Sequence, residues 1–400
     1  MVSSSIRRNI KLFKIDAFLG GSWPLYALAI VYFEQITNSY ALAMLVWSIT
    51  NLTQTFMEVP TGILSDKIGR RKTLILSAHC VLTAILLWAL AGQFNYMWLL
   101  FIGAVFWGLC DALLSGTLDA LMYETMEELN QKENFPLFYA QTNFWNQFGL
   151  AISTLFAAFI TYFFSLQTLA WLSLVTMIGQ LITAYLFVEP KRVSEQKKTT
   201  SMVHFFIAFR RLWRNKRLRF YAWLTLMIES VGEAYTQIEA TYFKTIIKDW
   251  LINIMCFIKQ ISGMIGFSVI PYVKRFGSVK LFFTSVSLNE VLKVIGVVLN
   301  NIFSPFIMSL VNFCWGISTT SKTDILQQEF SPNQRATMQS IIEVAKGIVA
   351  AIIMYLFGVL ADISGPKMAI IATVIVKVLL LVSSSLILKR KGTKKFSRVL

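Results

Sequence analysis

Apolar runs of about 20 residues recur along this chain, broken by clusters of Lys and Arg or by turn residues. A run of that length spans the hydrocarbon core of a bilayer as a helix. In lipid, only helices and closed barrels satisfy every backbone N–H and C=O. Charged residues make up 14% of the chain and apolar residues 56%. A soluble domain carries about 25% charged residues, so this chain lacks the material for a wetted surface. These observations predict an all-α integral membrane protein and exclude a soluble enzyme. Twelve helices are predicted, at 11–34, 41–65, 72–92, 96–124, 135–163, 167–188, 218–243, 250–272, 279–299, 302–326, 336–362 and 367–389.

The basic residues have a side. With the N-terminus placed inside, 29 of the 37 Lys and Arg fall at the inner ends of the spans and three (Lys244, Lys248, Lys367) at the outer ends. The other five, Lys259, Lys293, Lys322, Lys346 and Lys377, lie within spans. By the positive-inside rule this predicts a multi-pass protein of the cytoplasmic membrane with both termini cytoplasmic. The same placement accounts for the net charge of +16 without nucleic-acid binding. Cys80, Cys110, Cys256 and Cys314 each sit in an apolar run, outside any CxxC pattern. Two histidines are too few for a multi-histidine site, and no phosphate-loop sequence occurs. No metal, cofactor or enzymatic activity is therefore expected.

A basic stretch at 189–217 divides an N-terminal bundle of six spans (1–188) from a C-terminal bundle of six with a basic tail (218–400). Within it, Phe205, Phe206, Phe209 and Trp213 lie among arginines at helical spacing, the pattern of an amphipathic helix on an anionic leaflet. The halves repeat. Lys67-Ile68-Gly69 aligns with Arg275-Phe276-Gly277, and Trp107-Gly108 with Trp315-Gly316, at one common offset. Two six-helix bundles related by a pseudo-two-fold axis, with a substrate site between them, is a known transporter plan.

The loop between spans 2 and 3 reads Gly62-Ile63-Leu64-Ser65-Asp66-Lys67-Ile68-Gly69-Arg70-Arg71-Lys72. It resembles the loop signature of the major facilitator superfamily, and with twelve spans and a basic linker the resemblance covers the whole chain. Phe56-Met57-Glu58-Val59-Pro60-Thr61 and Ser115-Gly116-Thr117-Leu118-Asp119-Ala120-Leu121 resemble a bacterial drug-efflux-like branch. Ala104-Val105-Phe106-Trp107-Gly108 departs from that branch in lacking an arginine, and span 5 lacks a glycine-proline pair. The resemblance implies secondary active transport by alternating access, with the loop as a cytoplasmic gate. Gly62 would then allow close helix approach and Gly69 the tight turn. Asp66 would dock on the Ser331-Pro332 start of span 11, and Asp119 would join the gate with Arg70 or Arg71.

Ionisable groups deep in a bilayer cost about 3 kcal/mol each, so each must face a partner or a cavity. Span 4 places Asp111, Ser115, Asp119 and Tyr123 four residues apart, on one face of a continuous helix. Span 7 places Glu229, Glu233 and Gln237 the same way. Glu290 with Lys293, and Glu343 with Lys346, form i,i+3 pairs that read as structural. Glu229 and Glu233 cannot both ionise cheaply, and no lysine shares their span, so they are the first candidates to carry a coupling proton. Asp111 follows, then Glu58, which stands two residues before Pro60. Trp23, Tyr26, Tyr32, Phe144 and Trp145 are candidates to line a cavity. The expected activity is proton-coupled export of small amphipathic molecules by a monomer in the bilayer. Proton-coupled uptake of a polar metabolite or chelate, with Lys259, Lys322 or Lys346 as contacts, is the alternative.

Overall fold

A computed structural model of the protein describes residues 4–190, 213–329 and 335–390. The Phe205–Phe209 part of the linker and the Ser331-Pro332 start of span 11 lie outside them, as does any docking of Asp66 there. All regular structure among the described residues is helical. A helix or a closely spaced helix pair occupies each of the twelve predicted intervals. The first is α1 (Ser4–Gly21) with α2 (Ala29–Thr37), followed by α3 (Tyr40–Ile68) and α4 (Arg70–Phe94). Then come α5 (Met97–Leu114), α6 (Thr117–Glu128), α7 (Phe135–Phe163) and α8 (Leu166–Leu186). The second half holds α9 (Lys216–Lys244), α10 (Asp249–Val273), α11 (Ser278–Leu299), α12 (Ser304–Ser309), α13 (Val311–Glu329), α14 (Arg335–Ser364) and α15 (Pro366–Arg390).

Nine of these segments, among the described residues, are long and apolar enough to cross a membrane. The segments that fall short contain α3, α9 and α13, which carry Glu58 and Asp66, then Glu229, Glu233 and Glu239, then Lys322 and Asp324. Polar side chains inside helices are what lower their hydropathy. Helix ends follow local chemistry. Ser39 caps α3 by accepting from the Leu42 amide, and Asn38, Asn95 and Asn300 close α2, α4 and α11 in the left-handed conformation.

The chain divides into two compact units, Met1–Lys197 with Asp249–Ile254, and Lys198–Lys248 with Met255–Leu400. In the first, α5 packs on α3 and α4, while α1 packs on α7 and α8. In the second, α11 packs on α13, and α9 packs on α14 and α15. The internal repeat is visible in backbone geometry. A Cβ at Gly108 would lie 2.5 Å from the Thr50 carbonyl oxygen, bringing α5 against α3. A Cβ at Gly316 would lie 3.0 Å from the Gly263 carbonyl oxygen, bringing α13 against α10. The equivalent turns at Gly69 and Gly277 both have positive φ, 97° and 83°.

The structure corrects the sequence reading of span 4. Span 4 is not one continuous helix: α5 stops at Leu114 and α6 restarts at Thr117, with Gly116 at φ 71° between them. The break lies between Asp111 on α5 and Asp119 on α6, so the four-residue spacing along a continuous helix does not hold between them.

Candidate functional site

At the end of α3, Gly69 turns the chain directly into α4, whose first amides need acceptors. Glu189 supplies them. Its carboxylate accepts from the Arg70 amide at 2.8 Å and the Arg71 amide at 2.6 Å, where the helix dipole favours negative charge. The Arg71 guanidinium donates to the Tyr185 carbonyl at 2.7 Å, fastening the same corner to the end of α8. Arg70 donates to Ser65 Oγ at 2.9 Å and pairs with Asp66 at 2.9 Å and Glu124 at 3.5 Å. Asp66 is 70% exposed, so its pair with Arg70 contributes little to stability by itself.

Two expectations for this corner change. Asp119 makes no ion pair with Arg70 or Arg71 among the described residues; Glu124, just over one turn further along α6, takes that place. Gly62 is not a close-approach glycine either, since a Cβ there would meet nothing within 4 Å. Close contact between α3 and its neighbour is made instead by Thr61, whose hydroxyl donates to the Ala112 carbonyl at 2.9 Å. Glu189 was hidden in the sequence because it opens a basic linker, 119 residues from Arg70. Its Glu-Pro step after a predicted span was the available signal.

Deeper in the first unit, Ser115 Oγ donates to Glu58 at 3.4 Å, so Glu58 meets the broken point of span 4. Asp111 is partly buried on α5. Asp16 on α1, which the sequence reading did not single out, is buried and accepts from the Thr183 hydroxyl at 2.7 Å. Trp23, Trp47, Trp88 and Trp107 converge from the first four spans. Trp88 stacks on Trp107 at 5.1 Å, and Trp23 lies 4.5 Å from Trp107. Trp88 is fully buried, and its indole N–H donates to the Leu100 carbonyl at 3.1 Å. These rings pack on one another as a core, and only Tyr26 and the partly exposed Trp47 and Trp107 offer faces outward. Phe144 and Trp145 are exposed on α7, whereas Tyr32 is buried and bonded to Gln167 and the Trp88 carbonyl.

In the second unit the in-span charges gather. Glu229 on α9 pairs with Lys322 on α13 at 2.5 Å, so a lysine from another helix reaches it. Lys346 pairs with Glu343 at 2.8 Å on α14 and lies in the field of both Glu229 and Glu233. Gln339 donates to Glu343 at 2.8 Å. Lys322 is 11% exposed, Glu229 and Lys346 28% and Glu343 35%, so this group is half-open rather than sealed. Three carboxylates and two ammonium groups from α9, α13 and α14 thus share one open polar face. Such a face can exchange a proton and can meet a charged or hydrogen-bonding solute.

The comparisons agree with this architecture. The family model of the Major Facilitator Superfamily matches residues 15–321. The nucleoside transporter NupG superposes with a TM-score of 0.78 at 14% identity, covering 96% of this chain and 98% of that one. A bacterial homologue of the human lysosomal transporter Spinster, in an inward-facing, unoccupied conformation, superposes with 0.71 at 12%, covering 97% and 99%. A variant of the E. coli fucose:proton symporter FucP superposes with 0.60 at 14%, covering 96% and 99%. These likenesses concern the fold. No curated protein matches the chain. Twelve helical intervals, an internal repeat, the Gly69 corner and the family match lead to one conclusion: this chain is a multi-pass membrane protein that belongs to the Major Facilitator Superfamily.

Proposed function

We propose that the protein is a secondary active transporter that works by alternating access and couples proton movement to the passage of a small molecule. Its working parts are the bundles 1–188 and 218–400, joined by the linker 189–217, in a monomer with both termini in the cytoplasm. The observation that carries this reading is the open group of Glu229, Glu233, Glu343, Lys322 and Lys346. A carboxylate beside an exchangeable lysine changes its proton affinity when a solute displaces that lysine. This links cargo to proton by simple electrostatics. The Gly69 corner, with Asp66, Arg70, Arg71 and the Glu189 cap, serves as the cytoplasmic gate, and Asp119 has no part in its ion pairs.

Both charge signs on one face favour a polar or zwitterionic solute, which supports uptake by symport. The efflux-like sequence around Glu58 and Ser115 supports the export of amphipathic compounds instead. Proteoliposomes with a luminal pH reporter separate the two. Nucleosides, dipeptides, sugars and lipophilic cations are added in turn, in the presence of a pH gradient of either sign. Solute-driven proton flux that is lost in Glu229→Gln/Glu233→Gln supports coupling at this site. Flux in the same direction as the solute supports symport, and opposed flux supports export. No flux with any solute, from protein shown to be folded, would count against proton coupling.

A further inference from the structure

Away from the charged groups, the second unit carries an apolar groove of about 470 Å³. Ile261 and Ile265 of α10 form one wall, Leu288 and Leu292 of α11 the other, and Phe313 and Cys314 of α13 the floor. The groove follows from how α10 and α11 are held. Gly263 and Gly266 draw α10 onto α13: a Cβ at Gly266 would lie 2.3 Å from the Phe313 carbonyl oxygen. Ser262 bridges the break in span 10, donating to the Leu310 carbonyl at 3.2 Å and accepting from the Phe313 amide at 3.1 Å. Asn289 of α11 donates to the Val311 carbonyl at 3.2 Å. Both helices are thus fastened to span 10, and a slot stays open between them.

The open side faces lipid. Ile261, Ile265 and Leu288 are exposed, and the exposed face of α11 continues from Leu288 through Val291, Ile295 and Val298, all apolar. The α10 wall stands roughly 12–24 Å along a helix that starts at Asp249, at about 1.5 Å per residue. That is the middle depth of a hydrocarbon core about 30 Å thick. Vacancy at this depth forfeits dispersion contacts on every wall, at a cost that grows with volume. Water would enter as a cluster on the order of ten molecules, each needing several polar partners. The lining side chains offer the Ser262 hydroxyl, already committed to Leu310 and Phe313, and the weakly bonding Cys314 thiol. An acyl chain needs no hydrogen bonds, bends to fit an irregular slot and is present at this depth throughout the bilayer.

We propose that an acyl chain of a bilayer phospholipid is a bound ligand of this groove, entering between Ile261 and Leu288 and lying against Cys314. There it completes the packing of α10, α11 and α13. It also screens the break at Leu310, whose carbonyl depends on the Ser262 bridge. The site stands apart from the charged groups and does not depend on proton coupling.

A phosphatidylcholine with a photoactivatable diazirine near the end of one acyl chain tests this in proteoliposomes of the full chain. Carbene adducts are mapped by peptide mass spectrometry. Cys314 is 1% exposed, so lipid on the outer surface of the helices does not reach it, whereas a chain in the groove does. Adducts at Cys314 and Phe313 are expected beside those at Val291 and Val298. Leu292→Trp and Ile261→Trp each fill the groove; both lose the Cys314 adduct and keep the Val298 adduct, which shows that α11 still spans the membrane. Adducts confined to Val291, Val298 and other exposed side chains overturn the proposal. So does a Cys314 adduct that persists in both filled variants. A charged, water-soluble thiosulfonate gives an independent reading on the wild-type chain. Cys314 stays unmodified when a lipid chain fills the groove; its modification would mean that water does, and would overturn the proposal.

Discussion

The two units repeat one six-helix plan but hold it together with different chemistry. In the first unit the interior is aromatic and small: four tryptophans pack edge and face, and glycine lets α5 lie on α3. The ion pairs of Arg70 with Asp66 and Glu124, and of Lys132 with Glu127, lie at helix ends. In the second unit five ion pairs run through the middle of the helices, and one group is sealed from solvent. Lipid offers no hydrophobic drive between helices, so dispersion and polar bonds must supply it. The first unit relies on dispersion. The second relies on charge, which is costlier to bury and also able to respond to a proton. That difference places the candidate coupling chemistry in the second unit.

The comparison can be broken at its strongest contact. Glu290→Gln takes from the buried Lys293 and Lys377 the carboxylate they share, and lost partners of buried pairs cost about 3–5 kcal/mol. The thermal midpoint of the detergent-solubilised protein therefore falls sharply. The double variant Glu290→Gln/Lys293→Met is less destabilised than the single one if the pair is what matters. A loss under about 1 kcal/mol for Glu290→Gln contradicts the account. Trp88→Ala in the first unit opens a cavity beneath Trp23, Trp47 and Trp107. It costs about 3 kcal/mol, at the low end for a large-to-small change because lipid tempers the transfer contribution. A mild effect would mean that the tryptophans line a space rather than fill one.

Much of this contrast could be read from the chain, but not all of it. Hydrophobic period and charge clusters located the twelve helical intervals, and the i,i+3 pairs Glu290–Lys293 and Glu343–Lys346 formed as their spacing predicts. Local spacing does not reach across the fold. The partner of Glu229 comes from α13, and the acid that caps α4, Glu189, stands just past the end of α8. The break in span 4 was missed for another reason. Ser115-Gly116 stands in an apolar, helix-forming stretch, and only the backbone shows that Gly116 takes the left-handed conformation that ends α5.

Two smaller effects sharpen the description of the Gly69 corner. Glu189→Gln leaves the first amides of α4 with a weaker, uncharged acceptor, at a cost of about 1 kcal/mol. Amide hydrogen exchange at Arg70 and Arg71 accelerates with it, while a change spread over the whole unit would argue that Glu189 does more than cap. Gly62→Ala, on an exposed helical face with nothing in reach, is neutral or raises stability by about 0.5–1 kcal/mol through helix propensity. A clear loss would restore the close approach that the sequence suggested.

The central claim is that the coupling proton is carried by the second unit. Solute-driven proton flux in proteoliposomes, measured side by side for Glu229→Gln/Glu233→Gln and for Glu58→Gln/Asp111→Asn, tests it most directly. Flux abolished in the first pair and retained in the second is the predicted result. Flux that survives the loss of Glu229 and Glu233 but disappears with Glu58 and Asp111 would contradict it.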